Sequence, residues 1–172
     1  IYTYVAPPVI TSITPTNGKL ASGTSITDLH GTDFTGTTSV TFGGVAATSV
    51  VVVSSVKITC VAPAHASGAV DVVVTTGGGT STGGTAIYTY NPAPVITSVN
   101  PNHGDGGGGL TVTITGTGFI NGCTVLFNGG DPPASTVFNS STSLTIVTPD
   151  ESPSAPILMD VRVTNPDTQV SN

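Results

Sequence analysis

Charge is the scarcest commodity in this chain. Asp, Glu, Lys and Arg make up 7% of its 172 residues, where an average domain carries about a quarter. Only Lys19, Lys57 and Arg162 are basic and the net charge is −6, so no cationic surface exists to neutralise phosphates or anionic lipid, and nucleic acid is excluded as a partner. Tryptophan is absent and aromatics reach only 5%, which leaves little for a sugar-stacking platform. The two cysteines, Cys60 and Cys123, are too few for a disulfide framework and lack the spacing of a zinc site. No apolar run approaches the roughly 18 residues of a membrane helix, so this segment does not insert into a membrane. Strong helix formers are nearly missing, while Val, Thr and Ile abound among Gly and Pro turns. That composition belongs to an all-β chain.

Chemistry-bearing patterns are equally sparse. No Gly-x-Ser-x-Gly elbow supports nucleophilic catalysis. The run Gly104-Asp105-Gly106-Gly107-Gly108-Gly109 resembles a phosphate cradle only superficially, because a P-loop continues into Lys-Ser/Thr and a helix, whereas Leu110-Thr111-Val112 opens a strand. His30, His65 and His103 fall on a strand end and two turns, without carboxylates or thiols at recurring spacing. Asp150-Glu151, the only adjacent acidic pair, reads as a solvated turn. The sequence therefore offers no catalytic residue, no cofactor site and no metal site, and it is not read as an enzyme.

What the chain does have is an internal repeat. Pro8-Val9-Ile10-Thr11-Ser12-Ile13-Thr14-Pro15 returns as Pro94-Val95-Ile96-Thr97-Ser98-Val99-Asn100-Pro101, 86 residues on. Gly31-Thr32-Asp33-Phe34 matches Gly116-Thr117-Gly118-Phe119, and Val40-Thr41-Phe42-Gly43-Gly44 matches Val125-Leu126-Phe127-Asn128-Gly129. Further on, Lys57 to Pro63 matches Ser143 to Pro149, and Asp71 to Thr75 matches Asp160 to Thr164. Copy one has one residue more between Ile26 and Leu29 than copy two has between Val112 and Ile114, which predicts a β-bulge there. Short β-branched runs separated by turn residues are the pattern of a sandwich. The period-two pairs Val40/Phe42, Ile58/Cys60, Val72/Val74, Val112/Ile114 and Leu144/Ile146 place their side chains on one face. They form the predicted core.

These residues resemble the IPT/TIG family of immunoglobulin-like domains. The shared pattern runs from Pro-x-Ile-x-x-Ile-x-Pro through a strand ending Gly-Thr-x-Phe, to Val-x-Phe-Gly-Gly, a strand reaching a Pro, Asp-Val-x-Val-Thr and a final Tyr-containing strand. The resemblance implies two tandem immunoglobulin-like (IPT/TIG) β-sandwich domains, an extracellular or cell-surface location and a non-catalytic role. The DNA-binding branch of the family does not fit the acidic charge.

The two copies end differently. Ile87-Tyr88-Thr89-Tyr90 closes copy one, and the identical tetrapeptide Ile1-Tyr2-Thr3-Tyr4 stands at the start of the chain. Nothing in copy two corresponds to Gly84 through Tyr90. The expected organisation is a closing strand of a preceding or neighbouring domain at 1–4, domain one at 5–90, and domain two at 91–172 without its last strand. Ile1, rather than Met, stands first, and the chain reads as an excerpt or processed product. The function expected from this is a structural or adhesive unit of a cell-surface fibre with head-to-tail contacts. Its partners would be other copies of itself or further IPT/TIG domains of the same chain, and Ile1, Tyr2, Thr3 and Tyr4 are the candidate assembly residues through strand addition. Two other readings are a spacer or carbohydrate-binding module of a secreted polysaccharide-degrading enzyme, and a receptor ectodomain fragment, with a glycan or protein ligand. Cys60 aligns with Ile146 and is predicted to be buried. Cys123 aligns with Thr38 and is predicted to be an exposed loop thiol able to bridge molecules, and Asn139-Ser140-Ser141 is a glycosylation sequon.

Overall fold

The computed structural model describes residues 5–21, 23–82, 86–128, 130–150 and 158–172; Ile1–Tyr4 and Glu151 lie outside them. The chain divides into two compact units, Ile1–Pro92 and Ala93–Asn172. The described residues form strands and turns without a helix. None of them forms a helix long and apolar enough to cross a membrane.

In the first unit, β1 (Val9–Thr14), β3 (Ser25–Thr32), β7 (Lys57–Val61) and β6 (Thr48–Ser54) make one antiparallel sheet in that order. The other sheet runs β2 (Asn17–Lys19), β10 (Ile87–Asn91), β8 (Gly68–Thr76), β4 (Ser39–Phe42), β5 (Val45–Ala46), with β9 (Gly79–Thr80) also on β8. The expected bulge is present: pairing slips between Ile26↔Cys60 and Leu29↔Ile58. The second unit repeats the first sheet as β11 (Val95–Asn100), β12 (Thr111–Thr117), β15 (Ser143–Val147) and β14 (Ser135–Ser140). Its other sheet holds only β13 (Thr124–Phe127) and β16 (Val161–Thr164) among the described residues.

Alternation builds both cores. All ten residues of the predicted period-two pairs are buried, because every second side chain of a strand points to the same face. A glycine recurs where strand and ring meet. A Cβ at Gly31 would overlap the Val9 carbonyl oxygen and lie 2.5 Å from Phe34 Cζ. At Gly116 it would overlap the Val95 carbonyl and lie 2.5 Å from Phe119 Cζ. The same turn is pinned in both copies by Phe34 N–H to Ser55 O and by Phe119 N–H to Ser141 O, each 3.0 Å. The repeated Gly-Thr-x-Phe motif is thus a packing device.

Cys60 is 4% exposed within the first core, as its alignment with Ile146 predicts. Cys123 corrects the reading of an exposed thiol. It is 8% exposed and belongs to the second core with Val125, Phe127 and Phe119. The residue just before β13 turns inward, its N–H bonded to the Ile120 carbonyl at 3.0 Å, so the loop that looks polar in sequence delivers its thiol to the core. Burial pushes the Cys60 thiol up to about 11 and raises that of Cys123 as well. No bridge between molecules forms at Cys123 without opening the core.

Two outcomes follow from this packing. Gly31→Ala is expected to destabilise the first unit by about 2–3 kcal/mol, the range of overpacking substitutions. Gly77→Ala, where an added Cβ meets nothing within 4 Å, should stay within about 0.5 kcal/mol; chemical denaturation of the two variants measures both. The thiolate of Cys60 at pH 8 should be about a hundredfold scarcer than that of an ordinary cysteine, so titration with a disulfide reagent should label the native chain only as fast as it unfolds.

Candidate interaction site

The closing strand of the first unit sets the standard for what a complete sandwich contains. β10 lies between β8, which it pairs antiparallel through Ile87↔Asp71, Tyr88↔Val70, Thr89↔Ala69 and Tyr90↔Gly68, and β2, which it pairs parallel through Thr89↔Asn17, Tyr90↔Gly18 and Asn91↔Lys19. Its alternate residues Tyr88 and Tyr90 point inward and are the largest fully buried side chains among the described residues. Tyr88 meets the edge of Phe42 at a centroid distance of 5.2 Å, and Tyr90 at 4.9 Å. The Tyr90 hydroxyl donates to the Pro63 carbonyl at 2.9 Å, and its ring stacks on His65 at 5.1 Å. A Cβ at Gly18 would overlap the Tyr88 hydroxyl, so Gly18 is the floor on which that hydroxyl rests. Burial pushes the Tyr90 phenol up to about 12, with Tyr88 and Cys60 adding to the effect.

The second unit reproduces the hairpin that follows this sheet's long strand and departs from the first unit just before β16. The hairpin after β8, where Ser81 N–H donates to the Val74 carbonyl at 2.8 Å and Val74 N–H to Ser81 Oγ at 3.0 Å, has its twin in Ser171 and Val163, at the same two distances. On the β13 side, Asn128 N–H donates to the Asp160 carbonyl at 2.8 Å, as Gly43 N–H does to Asp71 at 2.9 Å. What differs is the segment that β10 covers in the first unit. β8 is a nine-residue strand, whereas β16 has four residues. The shortened part, Leu158–Asp160, corresponds to Ala69–Asp71, and no strand of the described residues lies along its outer edge. A strand is extended only as far as a neighbour holds it.

Burial registers the same difference. Ile10, Ile13, Gly18, Ala62, Pro63 and Val72 are buried, while their counterparts Ile96, Val99, Thr148, Pro149 and Val161 are only half-buried and Gly104 is exposed. Leu158 is fully exposed. A shallow pocket of about 490 Å³ opens in the second unit, lined by Pro101, His103, Gly104, Asp105 and Gly108–Leu110. The glycine run read as a turn lines this pocket. The pocket was not legible in the sequence, because its walls are residues that look like loop.

Another edge of note belongs to β6, which pairs with β7 alone. Val50–Val53 are all exposed, Val51 and Val53 by more than half. The histidines are not brought into a common site: His30 Nδ1 lies 3.2 Å from Thr11 Oγ1, His65 bonds the Ala66 carbonyl at 2.9 Å, and His103 bonds the Asn102 side chain at 3.1 Å. Among the described residues no group of three or more His, Cys, Asp or Glu is arranged to hold a metal ion. Asn139 is exposed on β14, its amide donating to Thr145 Oγ1 at 2.7 Å. None of the aromatic side chains among the described residues is exposed.

The chain is similar to several known proteins. Contact site A protein of Dictyostelium discoideum is 38% identical over 102 residues, covering 56% of this chain and 19% of that protein. The extracellular region of plexin A4 superposes with a TM-score of 0.52 at 24% identity over 95% of this chain and 17% of that one, a likeness of fold. SGBP-B from a complex xyloglucan utilization locus in Bacteroides uniformis aligns over 95% of this chain and 47% of that one at 19% identity, with a TM-score of 0.41. The chain thus spans about a fifth of the length of the first two. The IPT/TIG domain profile matches residues 8–90 and 94–172, nearly the whole of both units, and the chain belongs to the IPT/TIG domain family.

Proposed function

We propose that this chain is a non-catalytic structural and adhesive unit of an extracellular, cell-surface protein, and that it works as one link of a fibre with head-to-tail contacts. The observation that carries this reading is the sheet edge at Leu158–Asp160, along which no strand of the described residues lies, while its counterpart Ala69–Asp71 pairs with β10. An unpaired sheet edge beside half-buried apolar residues recruits another strand. Where the recruiting and donating surfaces differ, the contact repeats without closing and generates a filament. The valine edge of β6 supplies a second, lateral surface suited to contact between neighbouring fibres or cells. Similarity to contact site A protein supports the surface and adhesive setting.

The low charge and the Thr/Ser faces suit a module whose work is mechanical rather than chemical. A sugar-binding role draws no support from the described surface, where no aromatic side chain is exposed to stack on a pyranose ring. Asn139 and its hydroxyl-rich surroundings offer a place for a carbohydrate to be attached.

Analytical ultracentrifugation and negative-stain microscopy of the chain from micromolar to millimolar concentration test the reading. Expected is a concentration-dependent series of oligomers that ends in unbranched filaments one chain wide. A monomer that stays monodisperse across the range, with no filament on the grid, would overturn it.

A further inference from the structure

Resting on the extracellular setting of that reading, we infer that Asn139 carries an N-linked oligosaccharide, and that this glycan covers the β14 edge of the second unit while the β6 edge of the first stays bare. Asn139-Ser140-Ser141 is the one Asn-x-Ser/Thr triplet of the chain with x other than Pro, the acceptor pattern of secreted surface segments. Its place in the fold is what makes it a site. Pairing of β14 with β15 slips between Phe138↔Leu144 and Ser140↔Ser143, so Asn139 is the extra residue of a β-bulge, without a partner in the ladder and exposed. Ser141, whose hydroxyl completes the triplet, is exposed as well. The same slip recurs in the first unit between Val52↔Ile58 and Ser54↔Lys57, where the bulged residue is Val53, 56% exposed. The two units thus present one outward position, filled by a glycan acceptor in one copy and by valine in the other.

The acceptor side chain lies on the outward face of the sheet. Asn139 Nδ2 donates to Thr145 Oγ1 at 2.7 Å and to Ser143 Oγ at 3.3 Å, both on β15, whose intervening residues Leu144 and Ile146 turn into the core. Attachment replaces one of the two amide hydrogens. Nδ2 bonds to the anomeric carbon of an oligosaccharide, the bond from that carbon to the pyrophosphate of a polyisoprenyl carrier breaks, the pyrophosphate leaves with the electron pair, and the amide proton passes to a base of the transferase. The N–H that remains still has a β15 hydroxyl to donate to, so the modified residue fits the folded strand. Val137 pairs with Thr145 and is 54% exposed, which sets it beside the first sugar. Neither β14, which pairs with β15 alone, nor β6 contains a charge or a proline, the usual guards of a sheet edge. A bulky hydrated glycan is the guard that β14 has and β6 lacks, and lateral contacts fall to Val50–Val53.

Expression of the full chain through the secretory route of a eukaryotic host tests the site by mass. The secreted chain should gain the mass of one N-glycan, lose it to an amidase that releases Asn-linked sugars, and carry it at Asn139 in peptide mapping. Asn139→Gln and Ser141→Ala should both lack the increment, and Ser141→Thr, which keeps the hydroxyl, should retain it; circular dichroism and the melting temperature check that each variant is folded. The covering is read separately. With Val137→Cys, labelling by a polymer-linked maleimide should be at least about tenfold slower in the glycosylated chain than after release of the sugar, because thiol reactivity follows access. Val53→Cys should label equally fast in both. A secreted, folded chain without the increment, or with the sugar on another asparagine, would overturn the site and leave the fibre reading to its own test. Equal labelling of Val137→Cys before and after release would overturn the covering, and slowed labelling of Val53→Cys in the glycosylated chain would overturn the bare β6 edge.

Discussion

Closing a sandwich of this size depends on one strand more than on any other. In the first unit β10 holds β8 extended over its first half, pins β2 from the other side and brings two tyrosine rings to the centre of the core. Truncating a buried aromatic side chain costs about 3–5 kcal/mol, so two of them amount to a large share of the 5–15 kcal/mol by which a typical domain is stable. The surrounding features are fitted to these rings: Phe42 at an edge, Gly18 beneath a hydroxyl, Pro63 as acceptor and His65 as a stacking face. Depriving the unit of β10 would therefore expose the apolar lining of β1 and β8 together.

The second unit is the natural comparison. Its first sheet keeps the strand order of its twin and the same Gly-Thr-x-Phe contact, without the bulge at Ile26, and Leu144, Ile146, Ile114 and Val163 are fully buried. The difference is confined to one flank, where β16 is short and Ile96, Val99 and Val161 stay half-buried. Stability in a protein is local, and the described residues of this unit are firm in one sheet and leave one edge of the other without a strand. The consequence for pH points the same way. Because burial raises the Tyr90 phenol and the Cys60 thiol, each binds its proton more tightly in the folded state. Their contribution is complete below about pH 9, the ordinary thiol range, and falls away as pH rises towards 11 and 12. An alkaline weakening of the first unit is the signature of its closed core.

Much of this was legible in the sequence, for a physical reason. Period-two burial needs alternating apolar residues, so Val40/Phe42 or Leu144/Ile146 announce themselves, and a repeated motif with a repeated contact, such as Gly31-Phe34 and Gly116-Phe119, survives comparison of the chain with itself. The one-residue slip near Ile26 announced a bulge. Cys123 was misread because a turn can direct a single side chain inward without altering the polar character of its neighbours. The pocket beside Gly104 was not readable at all, since a glycine that lines a pocket and a glycine in a turn are the same letter.

The account rests on the claim that the edge of Leu158–Val161 is open in the isolated chain and covered in the assembled one. Amide hydrogen exchange measures this most directly. In dispersed chains at low concentration the amides of Met159 and Val161 should exchange rapidly while that of Val72, which donates to the Ala86 carbonyl at 3.0 Å, is protected, and on assembly the former two should slow by at least about a hundredfold. Equal protection of Val161 and Val72 in dispersed chains, or no change at Met159 and Val161 on assembly, would contradict it.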